Sequence, residues 1–323
     1  MKKHWTLIGF LVSAILLTWA FWDVDFAQLG SLVRHCDLSL VGATLVLNFV
    51  VIGLKAERWR QIVAASTEQK VSFRAAALAT LIGCMANNVL PARAGELVRV
   101  VVLGKSQKLS RATVLATLAL DHLLEGVAFM LLMLGLPFLL ATPAWMRHAT
   151  LVIAGILIVG LGASAVVIFA TSGSAVERWL PKRLQARIGP RVERFRTGLL
   201  LLSAPRRVLA VVVLAGATWM TQALMVLLCL QAAGLELGFV QALFILVAIN
   251  LGTLIPGAPS SVGPFEFAAI VALGFFGVDK TPALSFALLY HFIQVIPTTL
   301  AGWAALPLAG MTISRLGRPS TAL

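Results

Sequence analysis

Charge is scarce in this sequence. Only 12% of its 323 residues are Asp, Glu, Lys or Arg, where a soluble domain carries roughly 25%. So apolar a chain could not cover a water-facing surface, which excludes an ordinary soluble globular protein. Cysteine is nearly absent. Cys36, Cys84 and Cys229 lie far apart, are odd in number and lack metal-ligand spacing, so neither a disulfide framework nor a zinc site is expected. There is no nucleotide-binding loop, nucleophile elbow or zinc-protease helix, and no long polar segment to house a cofactor. An ATP-driven or conventional enzyme is therefore not expected, nor is a cofactor. Acidic residues are few, 13 against 26 Lys and Arg, for a net charge of +13. That excess does not indicate nucleic acid, because the basic residues sit between apolar stretches, as in the cytoplasmic loops of membrane proteins.

Apolar sequence is what the chain has in abundance: 59% hydrophobic residues and a mean hydropathy of +0.95. Several runs approach the ~20 residues that cross a bilayer as a helix. The expected fold is an all-α polytopic membrane protein, one integral domain over residues 1–323. It would have about seven spanning helices plus two opposed re-entrant hairpins in an inverted repeat. Trp5 to Trp22, behind Lys2 and Lys3, reads as a retained first helix. Its end, Thr18-Trp19-Ala20-Phe21-Trp22, is too bulky for signal cleavage. The two lysines place the N-terminus in the cytoplasm. A second helix over about Leu38–Leu54 re-enters beside Lys55, Arg58 and Arg60. Further spans are expected over Ala112–Leu134, Leu151–Thr171, Val208–Ala232 and Ala283–Leu308. Arg315 and Arg318 put the C-terminus inside as well. Between them, residues 172–207 form a basic cytoplasmic linker. Val176, Leu180, Leu184 and Ile188 recur there at helical spacing opposite arginines. That pattern fits an interfacial helix on an anionic lipid surface or a solvated loop helix.

Two apolar stretches are interrupted. In the first, Asn88, Pro91, Arg93, Gly95, Glu96 and Arg99 fall in the middle, and both flanks carry basic, inside-type residues. A stretch with both ends inside cannot cross once, so it must enter and return. In the second, Pro256, Gly257, Pro259, Gly263 and Glu266 do the same, and the helix count closes only if it enters from outside. Pro91, Gly95, Pro256, Gly257, Pro259 and Gly263 would set the hairpin geometry. Irregular backbone at that depth is tolerated only against protein or a water-filled cavity. The chain then divides into halves of about 38–136 and 208–310, alike but inverted, an architecture in which transporters bind substrate at the repeat interface.

Intramembrane charge is expensive, at least about 2.5 kcal/mol at a helix centre, so each such residue asks for a reason. Arg93, Glu96 and Arg99 share a helix face, net positive, and Arg suits a phosphate. The alternative is that these charges pair with one another or with Asp121. Asp121 and Glu125 lie four apart with His122 beside them. They either balance Arg93, Arg99 or Arg111, carry a coupling proton, or form a weak metal arrangement. Glu266 has no basic neighbour in sequence; it is protonated, paired across the repeat interface, or part of proton coupling. Tyr290, His291 and Gln294 on the last helix line the same cavity or are packing residues near the outer interface. Arg58, Glu125, Tyr290 and His291 are secondary candidates.

Three motifs carry a family resemblance: Asn88-x-x-Pro91-x-Arg93-x-Gly95-Glu96-x-x-Arg99, Arg58-Trp59-Arg60, and Pro259-x-x-x-Gly263-x-x-Glu266. With them the chain resembles the lysylphosphatidylglycerol synthase transmembrane-region family, the flippase-like integral membrane proteins, over nearly its whole length. The family pattern usually has glycines after the second proline, where Ser260 and Ser261 stand here. In the multiple peptide resistance factors such a region is joined to a cytosolic aminoacyltransferase domain and linked to moving the modified lipid. This chain ends at Leu323 without that domain, so the resemblance implies lipid translocation without aminoacylation. The expectation is a flippase of an anionic or phosphate-bearing lipid in a bacterial inner membrane. Asn88, Arg93, Glu96, Arg99, Asp121 and Glu266 would bind substrate, with no catalytic residue and no metal. The rivals are a lipid-modifying enzyme using Asp121, His122 and Glu125, and a non-transporting scaffold for a partner synthase; a homo-oligomer is compatible with each.

Overall fold

The computed structural model describes residues 2–67, 69–91, 94–170 and 205–311. Arg93 and the expected interfacial helix, but for Arg206 and Arg207, lie outside these residues. Among them the chain is helical throughout, as its apolar composition demands: inside lipid, every backbone N–H and C=O must be bonded within the segment. The helices are α1 (Lys2–Phe21), α2 (Phe26–Arg34), α3 (Leu38–Thr67), α4 (Phe73–Val89), α5 (Gly95–Ser106), α6 (Arg111–Gly135), α7 (Ala144–Ala170), α8 (Pro205–Ala232), α9 (Phe239–Gly252), α10 (Pro264–Gly274) and α11 (Lys280–Leu308).

Among the described residues five helices, α3, α6, α7, α8 and α11, are long and apolar enough to cross a membrane. The number becomes six if α1 and α2, bent by 89° at Trp22–Asp25, count as one span. Against the expected number of about seven, the first span is the one that differs, since α1 turns aside into the short amphipathic α2 after Phe21. Asp25 caps α2 by accepting hydrogen bonds from Ala27 and Gln28 N–H (2.8 and 2.9 Å). α3 also differs from expectation: it continues past Leu54 to Thr67 and carries Lys55 and Arg58 inside a regular helix.

The two interrupted stretches become two packed helix pairs, α4 on α5 and α9 on α10. At about 1.5 Å per residue their arms of 17, 12, 14 and 11 residues all fall short of the ~30 Å hydrocarbon core. α4 stops at Leu90, ahead of Pro91, because the residue before a proline is pushed out of the helical region. The pairs are closely crossed. At Gly95 an added Cβ would meet the Gly83 carbonyl oxygen, so only glycine permits that backbone approach.

α3 packs along α8 and against α4 and α6, while α8 packs on α9 and, more lightly, on α11. α5 lies on α6 as α10 lies on α11. α4 is also covered by α11, a contact with no counterpart between α9 and α6 of similar extent. α1 packs on α10, and Ser13 ties it to the second break. Its hydroxyl donates to the Val262 carbonyl (2.6 Å) and accepts from Ala258 N–H (2.7 Å). Lys280 at the start of α11 donates to the carbonyls of Trp19 and Trp22 (both 2.7 Å), closing the C-terminal end of α1.

Candidate functional site

The two breaks touch. The second one runs through a 3-10 turn, Pro259–Ser261, which packs on α4, and the Ser260 hydroxyl donates to the Asn88 carbonyl at 3.2 Å. Ser260 and Ser261 both have left-handed backbone (φ 60° and 59°), as does Gly263 (φ 96°). This region costs a side-chain-bearing residue roughly 1–2 kcal/mol and glycine little, which accounts for the glycines of the family pattern at this turn.

Where the breaks meet there is a cavity of about 330 Å³. Asn87 and Asn88 reach it from the first break and Ser260 and Ser261 from the second; α3, α8, α9 and α11, with Cys84 of α4 and Phe265 of α10, supply the rest of its wall. Its polar lining is mostly carboxamide and hydroxyl, with Lys55 among the lining residues. α11 is itself irregular here. Pro297 lacks the N–H that would bond the Ile293 carbonyl, and Asn48 from α3 extends its amide toward that oxygen (3.5 Å) and to Thr298 (3.0 Å).

Glu266 and His291 stand behind the second break, both buried. Glu266 accepts from Gly263 N–H (2.7 Å), capping α10, and lies 2.6 Å from His291 Nδ1. His291 Nε2 is 3.1 Å from the Ser260 carbonyl. A carbonyl oxygen only accepts, so Nε2 carries a hydrogen. One further proton then has to sit between Nδ1 and the carboxylate, since two lone pairs would otherwise face each other. Glu266 thus pairs within its own half of the chain. Tyr290 is fully buried and His291 lines the cavity.

The remaining charges form a second cluster joining α3, α5 and α6. Arg58 is buried and grips Asp121 with two nitrogens (Nε–Oδ1 2.6 Å, Nη2–Oδ2 3.2 Å). Its Nη2 also lies 3.0 Å from Glu125, which faces Lys55 at 3.8 Å. Glu96 pairs with Arg99 (3.2 Å) and with His122 Nε2 (3.2 Å). Arg99 stacks over Trp59 at 4.5 Å and lies against Gly83, one residue from Cys84 in the cavity wall. The described cluster therefore sets Lys55, Arg58 and Arg99 against Glu96, Asp121 and Glu125, with His122 as the extra group.

The expected residues are thus divided between two places. Asn88, Tyr290, His291 and Gln294 line the cavity, Glu266 backs it, and Glu96, Arg99, Asp121, Glu125 and Arg58 form the cluster beside it. Sequence reasoning paired Asp121 with the arginines of its neighbouring segments; the structure pairs it with Arg58. Among the described residues no group of three His, Cys, Asp or Glu side chains is arranged to hold a metal ion. Asn48, Asn250 and Gln222 were missed. Their signal was a lone carboxamide within an otherwise apolar run, as in Val46-Leu47-Asn48-Phe49-Val50.

Long apolar helices with a polar cavity between two broken helix pairs define a multi-pass helical membrane protein with a buried polar site. The chain belongs to the family described as the lysylphosphatidylglycerol synthase TM region, whose model matches residues 6–302. It is similar to a UPF0104 membrane protein of Methanothermobacter thermautotrophicus, 21% identical over 97% of this chain and 98% of the relative. A UPF0104 membrane protein of Pyrococcus horikoshii is 24% identical over 94% of this chain and 96% of its own length.

Proposed function

We propose that this protein translocates a phosphate-bearing lipid, the headgroup passing through the cavity between the two breaks while the acyl chains stay in the bilayer. The observation that carries this reading is the cavity itself: polar, about 330 Å³, and walled by both interruptions of an otherwise apolar chain. In this reading α4–α5 and α9–α10 are re-entrant hairpins of an inverted repeat. The short arms, and the matching contacts of α5 with α6 and of α10 with α11, support it. Arg93 and Arg99 attract the phosphate, Lys55 meets it from the cavity wall, and Glu96, Asp121 and Glu266 hold the surrounding helices in place. In this reading the protein sits in a bacterial inner membrane with both termini facing the cytoplasm. Arg60, Arg206 and Arg207 line one groove, which suits an anionic membrane surface.

The test is reconstitution into vesicles with a headgroup-labelled phospholipid. Wild-type protein is expected to equilibrate label between leaflets, and Arg93→Ala to slow this by about tenfold or more. Unchanged scrambling in Arg93→Ala would remove that arginine from the site, and no scrambling by wild type would remove the function.

A second reading has one observation in its favour. His122 is half exposed and sits between Glu96 (3.2 Å) and Glu125 (3.8 Å), an arrangement able to exchange protons. Product formed from lipid by the purified protein would favour a lipid-modifying enzyme.

A further inference from the structure

Four of the six carboxamides that line the cavity, Asn48, Asn88, Gln222 and Asn250, are not free to present either end. Asn88 donates its amide to the Val295 carbonyl (3.3 Å) and to Thr299 (2.9 Å), whose own hydroxyl hydrogen is committed to Val295 O (2.6 Å). Asn250 donates to the Leu246 carbonyl (2.8 Å), and Asn48 to Thr298 and the Ile293 carbonyl. Backbone carbonyls only accept, so in all three residues the NH2 end is fixed toward the helix backbone. The end left for the cavity is the side-chain oxygen, and among the described residues no protein donor reaches it. Gln222 follows the same pattern, its amide 3.5 Å from the Thr218 carbonyl.

We infer that the cavity selects a lipid whose phosphate carries an uncharged polyhydroxyl headgroup, such as glycerol, inositol or a sugar. An array of acceptors calls for donors. The donors of a lipid headgroup are either hydroxyls or an ammonium, and the charges decide between them. No carboxylate lines the cavity, whereas Lys55 does. His291 adds no free acceptor, because both its ring nitrogens are engaged. An ammonium would find no carboxylate in the cavity wall, while hydroxyls would satisfy the three asparagine oxygens and Lys55, itself 3.8 Å from Glu125, would meet the phosphate. A site built to bond hydroxyls discriminates strongly against an analogue lacking them, because its own polar groups are then left unpaired. The cavity is at the small end of the roughly 300–1,000 Å³ range of small-molecule sites, suited to a headgroup rather than to a whole lipid.

This inference rests on the cavity being the lipid site, and its test is separable from that of translocation. Short-chain phosphatidylglycerol, phosphatidic acid and phosphatidylserine share tails and negative charge but differ in hydroxyl and ammonium content. Their binding to the full chain in detergent is measured by native mass spectrometry. Phosphatidylglycerol is expected to bind at least about tenfold tighter than the other two, a difference of about 1.4 kcal/mol. Asn250→Leu and Asn48→Leu should each shrink that ratio several-fold; because the readout is a ratio between lipids, partial misfolding cancels. Equal binding of phosphatidic acid or phosphatidylserine by wild type overturns the inference, as does an unchanged ratio in both variants. Vesicle scrambling without this preference sinks only the hydroxyl selectivity, and selective binding without scrambling sinks only translocation.

Discussion

At the scale of single residues, the buried pair Arg58–Asp121 has the clearest physical consequence. Two charges taken out of water are tolerable because two nitrogens meet two oxygens, and Glu125 adds a third contact. Removing one partner leaves the other buried and uncompensated, which costs about 3–5 kcal/mol, whereas replacing both with apolar residues of similar volume is often neutral. Asp121→Leu and Arg58→Met are therefore each expected to lower the thermal midpoint in detergent sharply, and the double variant to recover most of the loss. If the double variant is as unstable as either single one, the pair does more than neutralise itself. This pair also marks the limit of what the sequence reveals. Arg58 stands beside Trp59 and Arg60, a cluster that reads as the membrane boundary, so a helix end at Leu54 was expected. Its partner is 63 positions away, and no local pattern reports a neutralised charge. Asn88 was legible because its break is polar on its own; Asn48 was not, because its task is set by Pro297 on another helix.

At the scale of elements, the two breaks were legible and their contents only partly so. Proline and glycine close together among polar residues favour a break, so the interruptions that follow α4 and α9 are legible in sequence, although a lone Pro297 stays within α11. That the two turns meet does not, since contact between Ser260 and Asn88 depends on how the pairs pack. Two substitutions probe this packing. Gly95→Ala puts a methyl against the Gly83 carbonyl oxygen and the Asn87 side chain; it should separate α4 from α5 and destabilise the protein by about 1–3 kcal/mol, as overpacking does. A circular-dichroism melt unaffected by the change would show that the pair is looser than its geometry. Ser261→Gly acts in the opposite sense. It relieves left-handed backbone at the price of chain entropy, so a melt unchanged or raised by an amount worth about 0.5–1 kcal/mol is expected.

At the scale of the whole molecule, composition alone gave the class, because so few charges cannot face water. Orientation is the less visible property. If both helix pairs are re-entrant, each has its two ends on one side of the membrane, and the pairs open to opposite sides. Single cysteines at Ser72 and Gln107, and at Gly238 and Gly277, in a background lacking Cys36, Cys84 and Cys229, test this with a membrane-impermeant maleimide. The first two positions should label from the cytoplasmic face and the last two from the other. Labelling of Ser72 and Gln107 from opposite faces would make α4–α5 a crossing.

The hold of Ser13 on Ala258 and Val262 bears on how the protein is made. Its two partners follow it by 245 and 249 residues, so at roughly 5–20 residues per second they leave the ribosome about 12–50 s later. α1 is thus in the bilayer long before the turn it clamps exists. The second break can take its final shape only after residues 258–262 have been made, so the cavity forms after every helix from α1 to α9 has been synthesised.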